Sequence, residues 1–278
     1  MTPANLLGAG AIALWAFLAL LSRAAPGLPP LQLAAMSFAV SGLAGLAWLA
    51  ARGGLGQLRQ PALAWLHGVG GLFGYHALYF AAINRAPPAT ANLLNYTWPL
   101  LVVLLSALLL GLRLTGRHWA GVALALAGCA VLLAGDAAFP PGAAVGYALA
   151  VAASLTWAGY SVTSRWFPGV PVGAVAGFCA GAAVLGAALH SLTGVWAPLR
   201  AWDWAVVLLM GLGPVGIAFA WWDAGMKRGD PRLLGTLAFS TPVLSTLLLA
   251  VAGQAPFTVA TVVAAVLVAG GGVLAARA

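Results

Sequence analysis

Charge is the scarcest property of this sequence. Only 6% of its 278 residues are charged, with four acids against twelve Lys and Arg, where a soluble domain carries about 25%. That shortage excludes a soluble fold. It also removes nucleic acid as a partner, because a formal net charge of +8 is better explained by membrane orientation. The acids Asp136, Asp203, Asp223 and Asp230 form no pair at helical spacing. There is no His-Glu-x-x-His, no Gly-x-Ser-x-Gly and no Cys/His cluster, so neither a catalytic centre nor a metal or cofactor site is expected. His67, His76, His118 and His190 are scattered without a nucleophile beside them. The two cysteines, Cys129 and Cys179, fall inside apolar stretches and read as core thiols rather than a disulfide.

What remains is apolar: 63% hydrophobic residues and a mean hydropathy of +1.02. A helix needs roughly 20 residues to cross the hydrocarbon layer. Ten segments qualify, at 5–22, 31–51, 62–83, 88–110, 117–134, 142–163, 171–194, 203–226, 231–251 and 257–276. Proline and glycine mark the breaks at 26–30, 52–61, 85–88, 139–142, 167–171 and 228–231. These breaks are short, so consecutive helices are neighbours. The first segment has the length of a spanning helix rather than a signal-peptide core, and is expected to stay in place. On the side of the N-terminus lie Arg52, Arg59, Arg113, Arg117, Arg165, Lys227, Arg228, Arg232 and Arg277; opposite are Arg23, Arg85 and Arg200. Nine against three predicts cytoplasmic termini.

The chain also repeats itself. Residues 77–99 (ALYFAAINRAPPATANLLNYTWP) return as 220–242 (AWWDAGMKRGDPRLLGTLAFSTP), matching Arg85 with Arg228, Pro88 with Pro231 and Pro99 with Pro242. Residues 15–29 return as 157–171 with seven identities in fifteen positions. The repeat is five segments long, giving halves at 1–138 and 139–278. An odd number of spans forces the two copies into opposite orientations, an arrangement found in transporters with a midplane substrate site.

Polar groups inside such a chain are costly unless they face protein or water. Tyr75 and Tyr79 share a face of the third segment with His76 beside them, and Asn92 and Tyr96 share a face of the fourth with Asn95 and Trp98 close by. Ser154, Trp157, Ser161 and Ser164 make one stripe in the sixth, expected to face the interior. Pro99 leaves the Asn95 carbonyl without its donor, Pro242 does the same for Ala238, and Pro214 is a third bending point. Plainer readings compete. Trp48, Trp65, Trp119, Trp166, Trp196, Trp202 and Trp204 lie near segment ends, where an aromatic belt accounts for them. Trp221 and Trp222 fit either role, and only Trp15, Trp98 and Trp157 are deep. Tyrosines can bond between packed helices, and His76 can be an ordinary interhelical histidine. Asp223 precedes Lys227 by four residues, the spacing of an ion pair rather than of a proton-coupling carboxylate. Glycines at 68–74 and 211–216 allow close packing or bending, and Gly270–Gly272, set opposite Gly128, suggests a tight pair of the fifth and tenth segments.

Ten spans, the five-plus-five repeat and the stretch HALYFAAINRAPPATANLLNYTWPLL at 76–101 resemble the drug/metabolite transporter superfamily in its EamA-type branch. Within it the stretch is similar to the YddG-type exporters of aromatic amino acids. The resemblance covers the whole chain. It implies an all-α membrane fold with a central cavity, from which the fifth and tenth helices stand aside. It places the chain in a bacterial inner membrane as a monomer or weak homodimer. It further implies efflux of Phe, Tyr and Trp by alternating access, with flat cationic compounds as further candidate cargo. Tyr75, Tyr79, Tyr96, Trp98 and Trp157 match the family's aromatic cavity residues, with His76 and Asn95 as polar neighbours. The lack of a deep carboxylate argues for facilitated or weakly coupled transport. Two rivals stay open: a broad drug or metabolite exporter of the same fold, and a non-transporting membrane scaffold or intramembrane enzyme.

Overall fold

A computed structural model describes residues 1–133 and 138–278. Asp136 and the final residue of the fifth predicted segment, Ala134, lie outside the described residues. Among the described residues the chain is helical throughout, without strands. Nine helices among those residues are long and apolar enough to cross a membrane: α1 (Pro3–Ala24), α2 (Pro30–Ala51), α4 (Pro88–Leu110), α5 (Gly116–Leu133), α6 (Pro141–Trp166), α7 (Ala174–Thr193), α8 (Ala201–Arg228), α9 (Pro231–Val251) and α10 (Val259–Ala276). Between α2 and α4 runs α3 (Ala62–Ile83), as long as α2 at 22 residues but diluted by His67, Tyr75, His76 and Tyr79.

Proline sets several of these boundaries. Pro30, Pro88 and Pro231 occupy the first helical position of α2, α4 and α9, where the missing N–H costs nothing and φ is already helical. The same residue type interrupts helices further in. α4 is broken at Tyr96–Thr97, just before Trp98 and Pro99, and α9 at Phe239, three residues before Pro242. α8 carries a wide π-turn at Gly213–Ile217 around Pro214, one of the recognised causes of a kink. A fourth break, at Ala16 in α1, has no proline. There the Ser245 hydroxyl of α9 donates to the Ala16 carbonyl at 2.8 Å.

The helices pair closely where small residues permit it. In α5 and α10 a Cβ on Gly121 would lie 2.7 Å from the Gly271 carbonyl oxygen, and one on Gly128 2.9 Å from that of Ala264. Gly128 therefore faces Ala264 and Val268, and the partner of the glycine run is Gly121; the expected tight pair exists in a different register. In α2 and α7, Gly42 meets Ala180 and Gly45 meets Ala176. Both pairs are antiparallel, since one number falls as the other rises. α3 packs along α6, and α8 along α1.

The two ends of the bundle are held differently. At the end with the termini, Arg165 donates to the carbonyls of Met226, at 2.7 Å, and Gly229. Asn5 Oδ1 accepts from the Asp230 main chain at 2.7 Å, and Lys227 reaches the Val170 carbonyl at 3.0 Å. At the other end Arg23, the repeat counterpart of Arg165, leaves the α3–α4 turn alone and donates to the Gln254 carbonyl at 3.0 Å.

Candidate substrate cavity

The interruptions in α1, α4, α8 and α9 surround one cavity of about 530 Å³, inside the range of about 300–1,000 Å³ typical of small-molecule sites. Its walls come from α1, α2, α3, α4, α6, α8 and α9; α5, α7 and α10 supply none. At its base Trp15, Trp98 and Trp157 meet edge to face, with centroids 5.6–6.2 Å apart. Trp222 closes the base from below, 5.1 Å from Trp15 and 5.9 Å from Trp98. Edge-to-face and offset contacts at these distances are favourable because each ring has a negative face and a positive rim. From this floor the cavity extends past Tyr75, His76 and Tyr79 to Ala25, Pro26 and Leu28 in the α1–α2 connection.

Polar contacts fix the floor. The Trp15 indole donates to the Pro214 carbonyl at 3.0 Å, so the π-turn of α8 is held against the break in α1. The Trp222 indole donates to Ser161 at 2.9 Å. Thr97 gives its hydroxyl proton to the Leu94 carbonyl at 2.7 Å. That leaves Ser154 as the donor in their 2.8 Å contact, so a serine of α6 is bonded to the break in α4. All four residues of the predicted α6 stripe are buried, but only Trp157 reaches the cavity; the serines hold its surroundings.

The seven predicted site residues Tyr75, His76, Tyr79, Asn95, Tyr96, Trp98 and Trp157 all line this cavity, as does Pro214. Pro99 and Pro242 do not; each is buried just behind a helix break. Asn95 Nδ2 donates to the Tyr75 hydroxyl at 3.1 Å, and the Tyr79 hydroxyl to Asn92 Oδ1 at 3.3 Å. His76 Nδ1 lies 2.8 Å from the Leu72 carbonyl. A carbonyl can only accept, so Nδ1 carries the proton and the neutral ring keeps a lone pair on Nε2. Among the described residues no Asp, Glu, Lys or Arg lines the cavity. Asp223 is buried but engaged by Lys227 at 2.9 Å, the ion pair its spacing predicted.

Sequence reasoning left several lining residues out. Phe38 and Phe219 stack at 5.8 Å on the wall beside His76, and Thr241 and Ser245 come from the second repeat. Trp222, which fitted either role, is 1% exposed and belongs to the floor. Its separation from Phe219 by three residues was the available signal. Trp65, in the first turn of α3, is half-buried, packing edge to face on Phe178 at 5.4 Å and over Gly177. The other six belt tryptophans are exposed.

The EamA-like transporter family pattern matches residues 2–134 and again 144–277. The chain belongs to the EamA-like transporter family. A protein of Ancylobacter novellus named aromatic amino acid exporter YddG is 50% identical over 99% of this chain and 97% of its own. The Escherichia coli protein of the same name is 28% identical over 98% and 96%. A crystal structure at 48% identity superposes with a TM-score of 0.94, covering 99% of this chain and 96% of that one. With its apolar spanning helices, this EamA-family chain is a multi-pass protein of the bacterial inner membrane.

Proposed function

We propose that this transporter exports aromatic amino acids, Phe, Tyr and Trp, by alternating access through the cavity between its two halves. The observation that carries this reading is the cavity itself, walled by aromatic rings, lined by no charged residue among those described, and sized for one amino acid. Burying a Phe or Trp side chain there is worth about 1.5–3 kcal/mol. Tyr75, Tyr79, Tyr96, Trp98 and Trp157 are the walls that receive the ring. His76 and Asn95 offer hydrogen bonds to the amino acid's polar end. The names of the full-length relatives support the same cargo.

In this reading α3 is a tenth span, and the halves 1–138 and 139–278 are inverted copies. Support comes from the two family matches and from the antiparallel packing of the repeat counterparts α2 with α7 and α5 with α10. Cytoplasmic termini agree with the basic end of the bundle, where Arg117 donates to the Arg277 carbonyl and Arg232 to that of Arg113. The Arg165 clamp then closes the cytoplasmic side while Arg23 leaves the outer side unclamped, an outward-facing state. Pro99, Pro214 and Pro242 mark the bending points, and the chain works as a monomer or weak homodimer. Counterflow tests the function: proteoliposomes preloaded with unlabelled phenylalanine should concentrate labelled phenylalanine. Exchange of unrelated drugs in its place would favour the broad exporter.

A further inference from the structure

Thr241 is the odd threonine of the membrane region. Thr156, Thr163, Thr193, Thr236 and Thr246 each return their hydroxyl proton to the carbonyl four residues earlier, at 2.7–2.9 Å. Thr241 cannot repeat this contact in the usual way, because the helix is interrupted at Phe239, between it and Leu237, the residue that would accept. Its Oγ1 is buried without any hydrogen-bond partner among the described residues, and so is Asn95 Oδ1. Thr241 and Asn95 are 6% and 3% exposed, and both line the cavity. A buried polar atom left unpaired costs about 1–3 kcal/mol, a cost the protein by itself leaves standing.

The chemistry of the unpaired atoms assigns them partners. Asn95 Oδ1 and neutral His76 Nε2 can only accept, so they suit an ammonium. The Tyr79 proton is taken by Asn92, and the first half's other lining hydroxyls, Ser22, Tyr75 and Tyr96, keep theirs; in the second half the Ser245 proton is taken by the Ala16 carbonyl. Thr241 keeps a free proton, and it is the repeat counterpart of Trp98, 143 positions away. We propose that the Thr241 hydroxyl is the second half's contribution to a head-group subsite, donating to the carboxylate of the amino acid while Asn95 Oδ1 and His76 Nε2 take its ammonium. Both orphan oxygens are covered in this structure, so the assignment requires rotation about Thr241 χ1, which exchanges methyl and hydroxyl, and about Asn95 χ2 to turn them toward the ligand. This assignment rests on the amino acid reading above and makes Thr241 a specificity-determining residue.

The test compares wild type, Thr241→Val and Thr241→Ser in proteoliposome counterflow of labelled phenylalanine, with phenethylamine, which lacks the carboxylate, as competitor. A hydrogen bond to a charged group is worth about 1.5–3 kcal/mol, so Thr241→Val should raise the half-saturating phenylalanine concentration by roughly tenfold or more. Its inhibition by phenethylamine should stay within twofold of wild type, and Thr241→Ser should restore phenylalanine affinity. Equal weakening of both compounds in Thr241→Val would reduce Thr241 to a structural residue. No change in either would remove it from the site. Absence of phenylalanine exchange by the wild type would instead overturn the amino acid reading, and this assignment with it.

Discussion

Trp157 stands where the two halves meet, so removing its ring is the most informative perturbation of the aromatic walls. Its ring lies 5.3 Å from Tyr75, 5.6 Å from Trp15 and Phe219, and 6.2 Å from Trp98. An aromatic pair contributes about 0.5–1.5 kcal/mol beyond area burial. Trp157 is 3% exposed, so area burial against the cargo adds little, and Trp157→Ala should weaken phenylalanine binding by about 0.5–1.5 kcal/mol, or roughly 2- to 13-fold in KM. Trp157→Phe keeps a ring and should stay within about threefold. Trp48→Ala is the control, because Trp48 is 61% exposed at the end of α2 with the Arg52 guanidinium 4.3 Å from its ring centre. KM values come from initial rates of exchange in proteoliposomes, with size-exclusion profiles confirming folded protein. A Trp157→Ala variant with KM within twofold of wild type would refute the cavity assignment, as would an equal shift in Trp48→Ala.

Two predictions concern parts of the molecule away from the cavity. Gly121→Leu would drive a Cβ to 2.7 Å from the Gly271 carbonyl oxygen, and overpacking against backbone costs about 1–3 kcal/mol; Tm should fall while KM stays at the wild-type value, and a raised KM at unchanged Tm would contradict the supporting role of α5 and α10. Asp230, in the α8–α9 connection, is pushed up by burial, but donors from Arg232 at 2.8–3.0 Å outweigh this and hold its carboxyl below the usual carboxylate range. A depressed carboxylate stabilises the fold at neutral pH and loses that contribution as pH falls through its folded value. Thermal unfolding from about pH 5 to 3 should therefore destabilise wild type more than Asp230→Asn, and equal slopes would show that the Arg232 contacts contribute nothing.

Much of this architecture could be read from residue types alone, because in a membrane the punctuation is unusually explicit. Helix starts at Pro30, Pro88 and Pro231, and interruptions near Pro99, Pro214 and Pro242, follow from the chemistry of one residue. The aromatic and amide residues around the α4 break gathered in one cavity because a lipid-facing position would leave them unsatisfied. The break at Ala16 was not legible, since its cause is a hydroxyl 229 residues away. The orphan hydroxyl of Thr241 was invisible for a related reason: its sequence neighbours are ordinary, and only the interrupted helix separates it from the other threonines. The glycine pairing failed in register alone, because composition shows that two helices can approach but not which residues meet.

The central claim, that an aromatic amino acid is the cargo of the cavity floored by Trp15, Trp98 and Trp157, is tested most directly by counterflow in proteoliposomes holding purified wild-type protein. Vesicles preloaded with unlabelled phenylalanine, tyrosine or tryptophan should take up labelled phenylalanine above its equilibrium level and then release it, whereas arginine-loaded vesicles should not. Identical traces from phenylalanine-loaded and arginine-loaded vesicles would contradict the account.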